Sequence, residues 1–247
     1  MCKRIVLGLL AATVLLSGCC CPWTVVRRVT RDINLRGSGV LVTQEMNLSG
    51  FTRLVISHAF EADVTQSDTY SVVITVDDNL VDHLDVSKRG DTLYVGIDDL
   101  SLVGDATLRA TIAMPTLDAV EASGASRVTT EGFRSSAPFD LEVSGASSFR
   151  AEMYCGNLKV RVSGASNVTL DGSGGNGDIG LSGASRARLE GFILQDVDVE
   201  ASGASSATVN VAGSLDAEAS GASTILYVGN PRLGRIEQSG ASTVRPK

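Results

Sequence analysis

The sequence is poor in the side chains on which most enzymes depend, since its 247 residues include only two histidines and five cysteines. His58 and His83 stand far apart in the chain, so neither a catalytic triad nor a histidine-based metal site is expected. The motif G-x-S-x-G does not occur, and the many serines lack a nearby base. We therefore predict a protein that is not an enzyme and that holds no metal or other cofactor.

Aromatic residues are scarce as well, at 4% of the chain, so small aliphatic side chains must build the core. The cysteines do not form a disulfide framework, because four lie near the N-terminus and Cys155 stands alone. A bridge from Cys20 or Cys21 to Cys155 is an option that the spacing does not require. Acidic residues outnumber basic ones by 28 to 21, and this excess argues against a nucleic-acid partner.

The N-terminus has the features of an export signal. Lys3 and Arg4 precede an apolar run that is too short to span a bilayer. The run ends in Leu16-Ser17-Gly18-Cys19, which resembles the bacterial lipobox. We therefore expect residues 1–18 to be a lipoprotein signal peptide and Cys19 to carry the lipid that holds the protein on a membrane. Residues 19–39 would be a tether, and Cys20 in place of Asp favours the outer membrane.

A four-residue motif, Ser-Gly-Ala-Ser, repeats along the rest of the chain. Its copies start 18 to 21 residues apart, at Ser123, Ser144, Ser163, Ser182, Ser202, Ser220 and Ser239. A fixed period near twenty predicts a solenoid in which each repeat is one coil.

The residues around the motif predict the geometry of the coil. With the first Ser as position 0, apolar residues recur at −3, −1, +5 and +7, which is the alternation of a strand with one buried face. Each coil then reads strand, corner, strand, turn. Glycine permits a positive φ at the corner, and alanine is expected where the chain bends inward. We predict an all-β, right-handed parallel β-helix-like solenoid with about 19–20 residues per coil and strands about 4.8 Å apart.

Residues 40–115 are β-rich without an overt repeat, whereas residues 116–247 carry the regular coils. The stretch Ser57-His58-Ala59-Phe60 fits the repeat register as a degenerate corner. It precedes Ser123 by 66 residues, which suggests about three coils between the two. Residues 77–84 could form a short helical turn capped by Asp78 or Asn79.

Several segments in this N-terminal part resemble a known bacterial family. They are Leu48-Ser49-Gly50-Phe51-Thr52-Arg53-Leu54-Val55-Ile56-Ser57, Ala62-Asp63-Val64-Thr65-Gln66, Asp77-Asp78-Asn79-Leu80 and Asp91-Thr92-Leu93-Tyr94-Val95. The family is the "putative auto-transporter adhesin, head GIN domain" family, also described as a domain of unknown function. The resemblance implies a β-helix-like fold on exported, often lipid-anchored proteins, and it supplies no catalytic residues.

A second set of serines follows three residues after the first and would form a column of hydroxyl groups. Such a ladder could bind a repetitive ligand, or it could satisfy the backbone of its own corner, which we favour. The candidate binding ladder consists of Ser126, Ser147, Ser166, Ser185, Ser205 and Ser223.

These features together predict a lipid-anchored bacterial cell-envelope protein whose solenoid is a binding, adhesion or scaffolding surface. A glycan or an envelope protein would be its ligand. The alternatives are a carbohydrate-active β-helix enzyme and a purely structural envelope module. A monomer is expected, because Arg245-Pro246-Lys247 discourages strand pairing at the C-terminal edge.

Overall fold

The structure is a computed structural model, and it describes residues 36–98 and 105–247. The predicted signal peptide, Cys19, Cys20 and Cys21 lie outside the described residues. The described part contains 21 strands and one short 3₁₀-helix, η1. In chain order they are β1 Leu41–Glu45, β2 Arg53–Ile56, β3 Glu61–Gln66, β4 Ser71–Asp77, η1 Asp78–His83, β5 Leu84–Arg89, β6 Thr92–Ile97, β7 Leu108–Met114, β8 Ala119–Ala122, β9 Arg127–Arg134, β10 Phe139–Val143, β11 Ser148–Tyr154, β12 Leu158–Val162, β13 Asn167–Ser173, β14 Gly177–Leu181, β15 Arg186–Leu194, β16 Val197–Ala201, β17 Ser206–Val211, β18 Ser214–Ala219, β19 Thr224–Gly229, β20 Arg232–Gln238 and β21 Thr243–Pro246.

The strands form two sheets, and the chain alternates between them. Sheet 1 has the order β1-β4-β7-β3-β9-β11-β13-β15-β17-β19-β21. Sheet 2 has the order β5-β6-β2-β8-β10-β12-β14-β16-β18-β20. From β8 onward each coil gives one strand to sheet 2 and one to sheet 1, and every pairing is parallel. The result is a β-solenoid of about 7 turns with about 19 residues per turn, which confirms the predicted fold class.

The core lies between the two sheets and follows the predicted alternation. In one central coil, Val160 and Val162 before the corner and Val168 and Leu170 after it are at most 2% exposed. Because their strands pair in register, equivalent side chains stack on one another from coil to coil. Burying an aliphatic side chain of this size contributes about 1.5–3 kcal/mol. The small, regular interior therefore suits a sequence with few aromatic residues.

The Ser-Gly-Ala-Ser corners continue the hydrogen-bonded ladder between the sheets. Gly183 has φ +73°, and a Cβ there would stand 2.6 Å from the carbonyl oxygen of Gly164 on the preceding coil. The N–H of Ala184 donates to that same oxygen at 2.8 Å. The corner therefore requires glycine for two reasons. Its φ is positive, as predicted from the sequence, and in addition the neighbouring coil leaves no space for a Cβ.

The corner alanines do not point inward, contrary to the sequence-based expectation. Ala165 and its equivalents in the other corners are exposed, because the residue after the glycine forms the outer apex of the turn. The serine that follows takes the inward position instead. Bulk at the alanine therefore extends into solvent.

Ser57-His58-Ala59-Phe60 is a degenerate corner, and His58 adopts φ 59° where the other corners have glycine. The expectation of about three coils between this corner and Ser123 is wrong. The two corners are direct neighbours, since the N–H of Ser123 donates to Ile56 O at 2.9 Å and that of Ala59 donates to Gly124 O at 2.8 Å. The coil β6–β7 lies on the far side of β2–β3. Strands β4 and β5 pair antiparallel with β7 and β6. The coil β2–β3 is therefore enclosed between two coils that come later in the chain, β6–β7 on one side and β8–β9 on the other.

The N-terminal end of the solenoid is closed by antiparallel strands and by η1, whose Leu80 is buried. The helical turn was predicted, but Asp77, rather than Asp78 or Asn79, occupies the N-cap position, and it makes no side-chain capping bond. The Asp77 carboxylate, only 1% exposed, instead accepts hydrogen bonds from the N–H groups of Gly39 and Thr107, each at 2.7 Å. This carboxylate therefore joins two separate loops at the closed end.

Candidate functional site

The predicted serine ladder lies inside the solenoid. All six hydroxyl-bearing residues, Ser126, Ser147, Ser166, Ser185, Ser205 and Ser223, are between 0% and 2% exposed. Ser126 donates to Ser123 O at 2.7 Å and Ser223 to Ala201 O at 3.0 Å. Burial contradicts a role for this column as a ligand surface in this conformation. The burial of this serine could have been predicted from the sequence, because position +3 lies on the same side of the alternation as the buried positions +5 and +7.

The first serine of each corner is the accessible one. Ser163, Ser202 and Ser220 are half-buried, and Ser182 is exposed. Their hydroxyl groups stand along the edge of the outer face of sheet 2. A column of accessible hydroxyls therefore exists, three residues earlier in each coil than predicted.

Carboxylates dominate the outer face of sheet 2. They occupy positions −4 and −2 before the corner, where strand alternation directs side chains outward. We call this set the acidic face; its members are Glu121, Asp140, Glu142, Asp178, Asp198, Glu200, Asp216, Glu218 and Glu237. Several are paired in register on adjacent strands, such as Asp198 with Asp216 and Glu200 with Glu218. The repeated acidic residues before the corners can be seen in the sequence. That they form one continuous surface is seen only when the coils are stacked in the structure.

Two cations on β12, Lys159 and Arg161, interrupt the acidic face. Arg161 Nη2 donates to Asp178 Oδ2 at 2.7 Å. This hydrogen bond is the main reason that the pKa of Arg161 is raised, and burial opposes the shift. Arg161 therefore remains charged and divides the carboxylates into two groups along the face.

Two depressions lie on this face, and both are lined by Glu142 and Arg161. One, of about 470 Å³, reaches from Arg161 past Gly180 to Glu200 and Glu218 and includes the accessible serines. The other, of about 330 Å³, extends toward Tyr94. Gly180 contributes no side chain between Arg161 and Glu200, so it deepens the surface there. We call the joined depressions the groove.

Neither histidine contributes to the groove. Ser57 Oγ lies 2.8 Å from His58 Nδ1 at the degenerate corner, and His83 ends η1. Within residues 36–98 and 105–247, no three histidine, cysteine or acidic side chains are grouped so as to hold a metal ion. Cys155 is half-buried and forms no disulfide with any residue that the structure describes, and burial raises the pKa of its thiol to about 11. None of the helical structure in these residues has the length and hydropathy to cross a membrane.

Comparison with known proteins places this geometry in a family. Residues 50–231 match the family profile described as "Putative auto-transporter adhesin, head GIN domain". A putative adhesin from Bacteroides fragilis shares the fold with a TM-score of 0.81 at 22% identity, covering 87% of this chain and 100% of its own. A putative adhesin from Parabacteroides merdae has a TM-score of 0.69 at 19% identity, covering 87% and 99%. A putative lipid binding protein from Parabacteroides distasonis has a TM-score of 0.72 at 15% identity, also covering 87% and 99%. No curated protein matches the sequence significantly.

Proposed function

Because the chain belongs to the auto-transporter adhesin head GIN domain family, we propose that it is a non-catalytic binding module of the bacterial cell envelope. In this proposal the solenoid is a rigid support, and the groove on sheet 2 is the surface that receives a ligand. The groove carries the proposal because it combines accessible hydroxyls, carboxylates and the cationic side chains of Arg53, Lys159 and Arg161 on a hydrogen-bonded sheet. A site built on strands holds its side chains in fixed positions.

The chemistry of the groove favours a glycan. Carboxylates accept hydrogen bonds from sugar hydroxyls, while Arg161 and the serine hydroxyls can donate to sugar oxygens. Glu200 and Glu218 are in register on adjacent strands, so one group recurs about every 4.8 Å along the solenoid. A repeating ligand could therefore make the same contact on successive coils.

The excess of carboxylates supports a second candidate, a basic envelope protein. Nine acids lie on this face, against two cations on β12, Arg53 on β2 and Arg235 on β20, which pairs with Glu237, so the field over the face is negative. Such a field attracts cationic partners, and salt screens the attraction. The two candidates therefore differ in their dependence on ionic strength.

Binding to an array of neutral polysaccharides tests the groove. We expect Glu142→Gln and Glu200→Gln to weaken binding at least about ten-fold, since each removes a charge-assisted acceptor. Glu45→Gln is the matched control, because Glu45 is also exposed but lies on β1 in sheet 1. Retention of glycan binding at about 0.5 M NaCl supports the glycan, whereas capture of basic proteins that is lost at that salt supports the second candidate. Unchanged binding by both glutamine variants would remove the groove from the proposal.

The membrane attachment is proposed to run through lipidated Cys19, with the outer membrane as its location. The support is the lipobox-like sequence Leu16-Ser17-Gly18-Cys19. We expect Cys19→Ala to release the protein from membranes or to leave an unprocessed precursor, whereas Cys20→Ala stays attached. Radiolabelled palmitate should enter the wild-type chain, and its failure to do so would refute the anchor. Loss of the protein from intact cells on addition of protease would place the solenoid outside the cell.

A further inference from the structure

The outer face of sheet 1 repeats one charge order along four neighbouring strands. On each strand a cation or neutral donor comes first, then Arg or Thr, then a carboxylate, at alternate positions that share one face. We call these residues the striped face. They are Arg127, Thr129 and Glu131 on β9, Ser148, Arg150 and Glu152 on β11, Asn167, Thr169 and Asp171 on β13, and Arg186, Arg188 and Glu190 on β15. None of them is buried. The face therefore has a donor column, a middle column and a carboxylate column. On β15 the carboxylate column ends in Glu190, which lies at a bulge beside Gly191, the in-register partner of Asp171.

The carboxylate column carries like charges at close range. Glu131, Glu152 and Asp171 are paired in register across β9, β11 and β13, about one strand spacing of 4.8 Å apart. Like charges directly opposite one another destabilise a sheet. These three make no ion pair with any described residue. Cations supplied from outside the chain would relieve the repulsion.

The ends of the striped face already have partners within the chain. Arg127 lies 3.9 Å from Glu61 on β3, and Glu190 pairs with Lys247 near the C-terminus. Both contacts are exposed, so they contribute little and can exchange for another partner. Arg150, Arg186 and Arg188 form no ion pair among the described residues. Unpaired cations and unpaired carboxylates therefore lie on one surface, in separate columns.

We propose that the striped face binds the striped face of a second copy, with the two solenoids side by side and parallel. A two-fold axis along the solenoid, over the middle column, reverses the strand direction but keeps the order of the coils. Each donor then lies over a carboxylate of the same coil. Arg127 faces the partner's Glu131, and Arg186 faces the partner's Glu190. Such an interface is self-complementary, as a two-fold dimer requires.

The charge order selects this arrangement over the antiparallel one. A two-fold axis along the strands would place each column over itself, with carboxylates against carboxylates. In the parallel arrangement only the middle column meets itself, and there each arginine has threonines beside it on the adjacent strands: Thr129 and Thr169 for Arg150, and Thr169 and Thr208 for Arg188. A guanidinium displaced by one strand spacing therefore reaches a hydroxyl of the partner rather than another guanidinium.

The size of the face predicts a weak dimer. Four strands by five residues cover an area of only about 19 Å by about 16 Å, well below the roughly 800 Å² per partner of a standard interface. Because the coils run in the same direction, both N-terminal ends lie at the same end of the dimer. If Cys19 is lipidated, a point that rests on the proposed function, both anchors reach one membrane, and confinement there favours the pairing. The monomer expected from the sequence concerned the solenoid's C-terminal edge, which this dimer leaves open.

Sedimentation of the full chain in detergent tests the pairing. We expect a dimer at about 0.05 M NaCl that dissociates by about 0.5 M. Arg186→Glu and Glu190→Arg should each raise the dimer dissociation constant at least about ten-fold, because each brings like charges together. An equal mixture of the two variants should dimerise again, since each then offers the other an opposite charge at both contacts. Arg232→Glu, the same charge change on the exposed edge of sheet 2, should have no effect.

A disulfide test examines the axis itself. Thr169 lies on the middle column, so two copies of the Thr169→Cys variant should become joined at this position on mild oxidation in membranes, identified as a linked peptide by mass spectrometry. A monomer at low salt, a mixture that fails to recover dimers, or no disulfide between two copies of the Thr169→Cys variant would overturn the proposal. Glycan binding by the groove should be unchanged in all these variants, so the two proposals fail independently.

Discussion

The N–H of Ala184 donates a 2.8 Å hydrogen bond to the carbonyl oxygen of Gly164, one coil earlier. Gly183, beside it, has φ +73° and no room for a Cβ. We expect Gly183→Ala to lower the free energy of unfolding by at least about 2 kcal/mol, because it combines a disfavoured φ with a backbone clash.

Ala165→Leu supplies the contrast to that glycine. Ala165 is exposed at the apex of its turn, so a larger side chain should change the free energy of unfolding by less than about 1 kcal/mol. Denaturant midpoints of the two variants check both expectations. A tolerated Gly183→Ala together with a damaging Ala165→Leu would show that the corner has the opposite orientation.

The inward serines should differ in how much their substitution by alanine changes the free energy of unfolding, because they differ in their hydrogen bonds. Ser126→Ala removes a 2.7 Å bond to Ser123 O and should cost about 1 kcal/mol. The buried hydroxyl of Ser166 has no partner among the described residues, so Ser166→Ala should be neutral or slightly stabilising. Thermal unfolding of both variants provides the measurement. Equal losses at the two positions would mean that Ser166 finds a partner in solution.

Asp77 should be the most sensitive acidic residue of the closed end. Asp77→Ala would leave the N–H groups of Gly39 and Thr107 without their acceptor, and we expect a loss of about 1.5–3 kcal/mol in the free energy of unfolding. Asp82→Ala, at an exposed site in η1, is the control and should remain within about 0.5 kcal/mol. Urea unfolding compares them, and similar midpoints would argue against the role of this carboxylate.

Cys155 should be slow to react while the protein is folded. Its pKa of about 11, against an ordinary 9.0, means that at pH 8 the thiolate is about a hundred-fold rarer than in an unfolded chain. Peptide-resolved alkylation should therefore show Cys155 protected at pH 8 and increasingly modified as the pH approaches 11. Because the folded chain holds this proton more tightly, its contribution to the free energy of unfolding falls as pH rises from about 9 to about 11. Rapid alkylation at pH 8 would contradict this environment.

The sequence predicted the regular coils well because their periodicity is a local property. Alternating apolar residues determine which side of a strand is buried, and recurrent glycine marks the corner, so coils such as the one around Val160 and Val168 could be inferred directly. The inward serine and the outward alanine were assigned to the wrong sides, because the corner was treated as a bend that breaks the strand, whereas the alternation of buried and exposed positions continues through it. The position of β2–β3 could not be inferred, because it depends on antiparallel pairings between segments that share no repeat.

Most of the candidate site was missed for a different reason. The groove depends on which outward residues of different coils become neighbours, as with Arg161 and Asp178, and on the absence of a side chain at Gly180. The repeated acids at Asp198, Glu200, Asp216 and Glu218 were nevertheless a usable signal. A column-by-column alignment of the outward positions would have shown both the acidic face and the striped face.

Because β2–β3 is enclosed between two coils, the two ends of the solenoid should differ in how readily a coil can be added or lost. Among the described residues, β20 and β21 pair with the coil before them, as every regular coil does, so a coil can be added or lost in this part without rearranging the others. At the other end, β3 is bonded on one side to β7 and on the other to β9, and no single coil can be removed without separating its neighbours. A change in the number of coils should therefore be tolerated better near the regular C-terminal coils than around β2–β3.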